Sequence, residues 1–446
     1  MASTRVYRTL ADNSQKKGSI SIWFKLGPSL ATDKVLICSY YSADYHSAIK
    51  INTDDCLNVF DWRSGMVSNL TTSRKLRDPS AWYHVVFEWD TTQSTAADRN
   101  KLYINGVQET SFSATTNYSA DYIPSWNRDY TLSIGARNSD QYWDGNMSHL
   151  YFIQGYAYAA STFGSTDATS GIWKINTSPT INYTGTGTNS SFLKFEDSSN
   201  MDLDSGSNAN TFTTGGTLTA TKDTPSNNFS TFNPLTVDDG GAKTYTTGNT
   251  TVTETANSWT SAHSTLMATT GKYYCETKLV SFSGGSASYT GAATAAAIQS
   301  RSSLTYPLGT TDGGIGYYSS DGKVQKDNAS TTFGDSWGAG DIVGTAIDID
   351  NGFIYFSKNG TWQNSGDPTS GATGTGGVSF PSGMTGGEFI GFSVSPNESV
   401  MALNFGNGYF GTTAITSAGT NASNNGLFEY DVPTGYTALC TKGINS

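Results

Sequence analysis

Two acids stand two residues apart at Glu88-Trp89-Asp90, inside a stretch that alternates between apolar and polar residues. On a β-strand such positions share a face, and a rise of ~3.3 Å per residue sets the carboxyls about 6.5 to 7 Å apart, within reach of a glycoside-hydrolysing pair. A second candidate, Gly334-Asp335-Ser336-Trp337-Gly338, fits the G-x-S-x-G elbow of serine hydrolases. That elbow needs a histidine later in the chain, and His46, His84, His149 and His263 all precede Ser336. The histidines show no HExxH or paired spacing either, so zinc is not expected.

Oxygen-rich spacing points elsewhere. In Asp202-Leu-Asp204-Ser-Gly206-Ser-Asn208-Ala-Asn210 the oxygen donors alternate around a glycine, which suits a hard cation, and Asp202 and Asp204 are the candidate calcium ligands. The run lacks the bidentate glutamate that closes an EF-hand, and the same residues are ordinary turn formers. For sugar binding the candidates are Tyr122 and Trp126 in one loop and Asn138, Asp140, Tyr142, Trp143 and Asp144 in another. Flat rings stack on the C–H faces of a sugar while carboxamides and carboxylates fix its hydroxyls. The competing reading is that these rings plug the edge of a sandwich. Trp143 lies between two acids, which favours partial exposure of its indole, because Asp is almost never fully buried unpaired.

Strands must hold all these groups. Val343, Thr345, Ile347 and Ile349 fall on one face at period two with Asp348 and Asp350 on the other, the pattern of a half-buried strand. Asn351-Gly352 and Asn359-Gly360 supply the dipeptide of type I′ turns, and Asn105-Gly106 repeats it after the alternating stretch 82–89. Ser19–Lys25, Lys34–Cys38, Tyr130–Gly135 and Phe192–Phe195 read as further strands, the last closing a first unit. No stretch sustains a helical period. The expected class is all-β: two antiparallel β-sandwiches in series, residues 1–222 and 236–446, joined by a linker at 223–235. The polar stretch 176–191 reads as a loop.

Composition agrees with that class. Aromatics make up 13% and charged residues only 14% of the 446 residues, so cores can be built while edges and turns are Ser, Thr, Asn and Gly. The net charge of −11 is uneven: residues 1–222 hold 18 basic and 20 acidic side chains, net −2, which leaves −9 for the remainder. An acidic second half argues against nucleic acid or an anionic membrane as partner, since both are bound by neutralising phosphates. Arg74-Lys75-Leu-Arg77 reads as a solvated loop. The absence of a long apolar run argues against membrane insertion. Cys38, Cys56, Cys275 and Cys440 have no CxxC spacing and follow no apolar leader, so buried free thiols are expected.

Ala81-Trp-Tyr-His-Val-Val-Phe87, Leu102-Tyr-Ile-Asn-Gly106, Leu132-Ser-Ile-Gly135 and Trp143-Asp-Gly145 to Phe152 come in an order that resembles the concanavalin-like lectins of the laminin-G and pentraxin type. Gly271-Lys-Tyr-Tyr274, Asp341-Ile-Val-Gly344, Ile354 to Gly360 and Asn404-Phe-Gly406 resemble a SPRY domain. The whole arrangement, with Asp223 to Leu235 between the units and Gly435 to Thr441 near the end, is similar to virion structural proteins of marine tailed phages. The laminin-G resemblance implies calcium. The concanavalin-like one also admits glycosidases, but the chain departs from the Glu-x-Asp-x-x-Glu arrangement of the laminarinase-like enzymes, because Gln93 stands where the third acid would be. Together they imply a non-enzymatic head or tail appendage, oligomeric on the particle surface, that contacts a host-surface carbohydrate or other virion proteins. The alternatives are a purely structural decoration protein held through the acidic second unit, and a glycosidase acting on host polysaccharide.

Overall fold

The structure, a computed structural model, describes residues 4–28, 32–183, 188–236, 243–282, 287–299, 307–310 and 312–445. It is nearly all-β and divides into two compact units, Met1–Ala220 and Thr221–Ser446. Among the described residues no helix is long and apolar enough to cross a membrane, and the four cysteines are buried and free. Residues 184–187 of the polar loop lie outside the described residues.

In the first unit the strands are β1 Arg5–Thr9, β2 Lys17–Lys25, β3 Lys34–Ser42, β4 Tyr45–Ile51, β5 Cys56–Arg63, β6 Met66–Lys75, β7 Trp82–Asp90, β8 Asn100–Ile104, β9 Val107–Gln108, β10 Phe112–Thr116, β11 Thr131–Ile134, β12 Asn146–Gln154, β13 Gly164–Thr166, β14 Trp173–Ile175, β15 Ser191–Leu193 and β16 Thr213–Gly215. Among the described residues one sheet runs β10-β6-β5-β4-β3-β11-β1-β16 and the other β15-β12-β2-β7-β8-β9. Their inner faces interdigitate through Ile20, Ile22, Phe24, Leu57, Val59, Val85, Phe87, Leu102 and Leu132, all buried. Alternation decides which residues these are: in β7 Val85, Phe87 and Trp89 turn inward, so His84, Val86 and Glu88 must turn out. The unit closes one strand later than Phe192 suggested, because β16 pairs with β1 and Phe212 is buried in the core.

In the second unit the strand Lys272–Phe282 lies between Ile342–Asp348 and Ser399–Asn404, and a facing sheet is built around Tyr289–Thr294, Gly314–Tyr318 and Ile390–Ser395. The strand Ile342–Asp348 is buried along its whole length rather than on one face. Val343 and Ile347 face the inner core, whereas Ala346 lies under Tyr355, Phe428 and Tyr436, and Asp348 is paired with Lys272 at 2.8 Å. Asn359 and Gly360 take φ of 47° and 83° across a two-residue loop, as type I′ requires, and Asn105 and Gly106 do the same at 49° and 80°. Asn351-Gly352 differs: four residues separate Asp348 from Phe353, and only Gly352 has positive φ.

The stretch 223–235 is no free linker. Phe229 and Phe232 are fully buried, Phe229 bridges to Cys440, Phe232 bridges to Ser264, and the Asp223 carboxylate accepts from the Phe229 amide at 3.2 Å. Its Pro and Asn residues make turns, but the aromatics anchor it in the second unit.

Candidate functional site

Cross-strand partners share a face, so the pairing of the eight-stranded sheet writes out the side that points away from the core. One row reads Thr9, Thr131, Tyr40, His46, Trp62, Met66. The next reads Tyr7, Ser133, Cys38, Ala48, Phe60, Asn69, Thr116, and beside it lie Lys50, Asn58 and Thr71. This face is both aromatic and polar. The His46 ring lies 5.9 Å from Tyr40 and 5.2 Å, edge-on, from Phe60. Lys50 places its Nζ 5.1 Å over Phe60 and 2.6 Å from Asp33. Asn58 donates through Nδ2 to Asn69 at 2.7 Å and to Thr71 at 2.9 Å.

The loop that follows β11 arches over one side of this face. The Gln141 carbonyl accepts from the Val35 amide at 3.0 Å, and Arg137 grips Asp140 through two nitrogens, one bond being 2.9 Å. Their charges reach the β3–β4 rows: burial, then Arg137 and Lys50, holds His46 below its ordinary range, and burial pushes the Cys38 thiol far up. The His46 Nδ1 is itself enclosed, and the ring is buried between Tyr40 and Phe60. Trp62 and Tyr40 flank it, each partly exposed. Cys38, Ala48 and Phe60 in the middle of the face are buried, so Tyr40 and Trp62 are the rings it leaves partly exposed for stacking.

The residues singled out from the sequence are placed unequally. Trp126 is fully buried and stacks on Trp89 at 6.4 Å, so it is core and not ligand-binding. Trp143 is partly buried against the core, edge-on to Phe24 at 5.3 Å, with its Nε1 enclosed; it plugs the edge. Asn138, at φ 59°, accepts from Arg5 at 2.7 Å, and Asp140 is held by Arg137. Tyr142 and Asp144 are half-exposed in the same loop. Tyr122 stacks on Tyr118 at 5.7 Å and lies in the other loop. Tyr40, His46, Lys50, Phe60 and Trp62 were missed, although 46/48/50 and 58/60/62 carry a period-two signal.

Glu88 and Asp90 project on the opposite side of the unit. Burial raises Glu88 against the pull of Lys101 and Tyr103. Burial would raise Asp90 too, but Thr92, Gln93 and Lys17 outweigh it and hold the carboxyl at about 2. Both Asp90 oxygens serve the turn: Oδ1 accepts from Thr92 and Oδ2 from Gln93 at 2.7 Å. Ser336 sits in a loop where Lys358 donates to its carbonyl at 2.7 Å and Trp337 is buried against Tyr317.

The calcium reading does not fit the donor set. Asp204 accepts from the amides of Phe192, Gly206 and Asn210, each at 2.8 Å, and Asp202 accepts from Thr214 at 2.8 Å. A carboxylate ringed by N–H donors is a cap, since those donors would face the cation. Among the described residues no three His, Cys, Asp or Glu side chains gather as a metal site. EDTA is therefore expected to leave the melting temperature unchanged. Asp204→Ala should lower stability by about 2 kcal/mol with or without calcium, as amides at a 96% buried site lose their acceptor. A calcium-dependent shift in the melt would overturn this.

Comparison with known proteins places two domain families on the chain. Residues 3–159 match the concanavalin A-like lectin/glucanases superfamily and residues 273–403 match the SPRY domain. No curated protein matches in sequence. Among solved structures, the SPRY domain of human HERC1 is similar at 16% identity and a TM-score of 0.30, covering 39% of this chain and 96% of that one. Domain 4 of AbnA, a GH43 extracellular arabinanase from Geobacillus stearothermophilus in complex with arabinotriose, shows 17% identity and 0.25, with 33% and 65% covered. A native heptameric SAP-like pentraxin from Limulus polyphemus shows 14% and 0.28, with 43% and 86% covered.

Proposed function

We propose that this chain, a concanavalin A-like domain followed by a SPRY domain, is a non-enzymatic recognition protein that presents the outer face of its eight-stranded sheet to a surface glycan. The observation that carries the reading is the row Tyr40, His46, Trp62 beside Phe60, with Lys50, Asn58 and Asn69 as polar neighbours. The partly exposed rings of Tyr40 and Trp62 supply stacking area, and Lys50 and Asn69 beside them supply polar contacts to hydroxyls. Non-catalytic action is supported by Asp90, whose oxygens are spent on its own turn, and by Gln93 in the place of a third acid. The likeness of the whole arrangement to virion structural proteins of marine tailed phages supports a virion head or tail appendage that also meets other virion proteins, and antibody labelling of purified particles tests that placement.

Trp62→Ala is expected to keep the cooperative melt and to weaken binding on a glycan array at least tenfold, the usual loss at an aromatic hot spot. Unchanged binding would move the site elsewhere. A purely structural decoration protein is the second reading, favoured by the net charge of −9 on residues 223–446. A blank array with antibody-labelled particles would select it.

A further inference from the structure

At one end of the first unit, beyond the rows described above, two arginines converge on a set of tyrosines. Arg63 ends β5 and Arg128 lies just before β11. Both act electrostatically on Tyr122 and on Tyr130, so the two guanidinium groups share one neighbourhood. Arg63 donates to the Tyr122 hydroxyl at 3.4 Å and lies 5.8 Å from the Tyr45 ring centre. Tyr41, 68% exposed, stacks on Tyr130 at 5.3 Å and meets Tyr45 edge-on at 6.2 Å.

The cations lack close counter-charges. Among the described residues Arg63 has no carboxylate within ion-pairing distance, and Arg128 reaches only Asp12, at 4.0 Å. The Nε atoms of both are buried without a hydrogen-bond partner. Asp61, whose field reaches Arg63, is committed elsewhere: it accepts from the Ser125 amide at 2.9 Å, the Ser125 hydroxyl at 2.6 Å and the Tyr118 hydroxyl at 3.2 Å. The enclosed Nε atoms are out of a ligand's reach, so the anion meets the partly exposed ends of the two side chains. A planar oxyanion takes two N–H bonds from the terminal nitrogens of one guanidinium fork.

We propose that Arg63 and Arg128, with Tyr41, Tyr45, Tyr122 and Tyr130, form a subsite for a carboxylate or sulfate group carried by a polysaccharide. The exposed Tyr41 ring, backed by the buried Tyr130, stacks on the sugar that bears the anion. The subsite rests on the glycan-binding reading and adds its charge class; carboxylate and sulfate share the chemistry and are separated by the test. Non-specific attraction is a poor substitute, because the chain carries a net charge of −11.

Affinity electrophoresis of the full chain in gels containing alginate, dextran sulfate or neutral dextran tests the subsite. Alginate or dextran sulfate is expected to retard the protein, with salt weakening the effect. Arg63→Gln and Arg128→Gln should each weaken that binding at least tenfold, and Arg63→Lys by an intermediate factor, as charge is kept and the fork lost. Arg77→Gln, which removes an exposed arginine paired with Asp55 at 2.6 Å, should change nothing. Thermal melts identify any variant that fails to fold, and Arg128→Gln carries the test if Arg63→Gln does not fold. Anionic polymers bound no better than neutral dextran, or Arg77→Gln weakening binding equally, overturn the subsite. Glycan binding that depends on Trp62 but not on Arg63 or Arg128 overturns the subsite and leaves the outer-face reading standing. Anion binding that depends on Arg63 while Trp62→Ala has no effect does the reverse.

Discussion

Acidification from pH 6.5 to pH 4 destabilises the first unit by about 3 kcal/mol through His84 alone, at about 1.4 kcal/mol for each unit of pH. His84 is fully buried, sandwiched between Trp23 at 4.6 Å and Trp173 at 6.0 Å, with Phe163 edge-on. Trp173 Nε1 lies 2.9 Å from Nδ1. An indole can only donate, so Nδ1 must accept, and the ring proton resides on Nε2, which donates to Ser21 Oγ at 2.9 Å. Protonating Nδ1 would set N–H against N–H in a dry stack. Burial accordingly pushes His84 down to about 3 from the ordinary 6.5. Above pH 6.5 both folded and unfolded chains are neutral and the contribution is whole. Between 6.5 and 3 the unfolded chain takes up a proton that the folded one refuses, so stability drains away as pH falls.

The measurement is denaturation followed by tryptophan fluorescence, which the first unit dominates with seven of the ten tryptophans. His84→Gln keeps a donor toward Ser21 and cannot titrate, so its stability should fall less steeply with acid. Equal slopes in both proteins would sink the assignment. If His84→Gln does not fold, Trp173→Phe removes the N–H that enforces the neutral ring and should flatten the slope by itself.

Nothing near His84 in the chain announces this, since Trp173 is 89 residues away and reaches it only because β13 and β14 fold over the outer side of β7. Local patterns were legible wherever one chain segment decides the outcome. The alternation through Val85, Phe87 and Trp89 sorts inside from outside, and Asn359-Gly360 fixes its own turn because few other dipeptides adopt two positive φ values. Where partners are distant, residue type misleads. Trp126 and Trp62 both stand among polar residues, yet one is fully buried and the other lies on an outer face. Asp204 was read as a ligand because the oxygens that hold calcium also cap turns; three amides settle which. Phe229 and Phe232 were overlooked between turn formers because burial of two isolated rings leaves no periodic trace.

Glu276→Ala is expected to cost the second unit about 4 kcal/mol, since each buried donor left without its acceptor costs about 1 to 3 kcal/mol. Glu276 is fully buried and collects four donors: the amides of Glu429 and Tyr430 at 2.8 Å, Asn404 Nδ2 at 3.1 Å and the Tyr274 hydroxyl at 3.3 Å. The amides belong to the C-terminal segment whose Phe428, Val432 and Tyr436 cover Tyr274, Ala346 and Tyr355. One carboxylate thus fastens that segment to the sheet. At about 2 to 4 °C per kcal/mol for a unit of this size, the melt should drop by about 8 to 16 °C. Glu276→Gln should cost less, as it keeps the shape and turns only one acceptor into a donor. Burial raises the carboxyl to about 7 against the pull of its donors, so its linkage runs opposite to that of His84. The folded state binds a proton that the unfolded chain, at the ordinary 4.5, has already released. The contribution is whole below pH 4.5 and is lost as pH rises through 7, which Glu276→Gln should abolish. Limited proteolysis reads the fastening directly: cleavage between residues 415 and 440 should appear in Glu276→Ala well below its melting temperature. A variant that melts within 2 °C of the parent and resists the protease would mean that the aromatic contacts alone hold the segment.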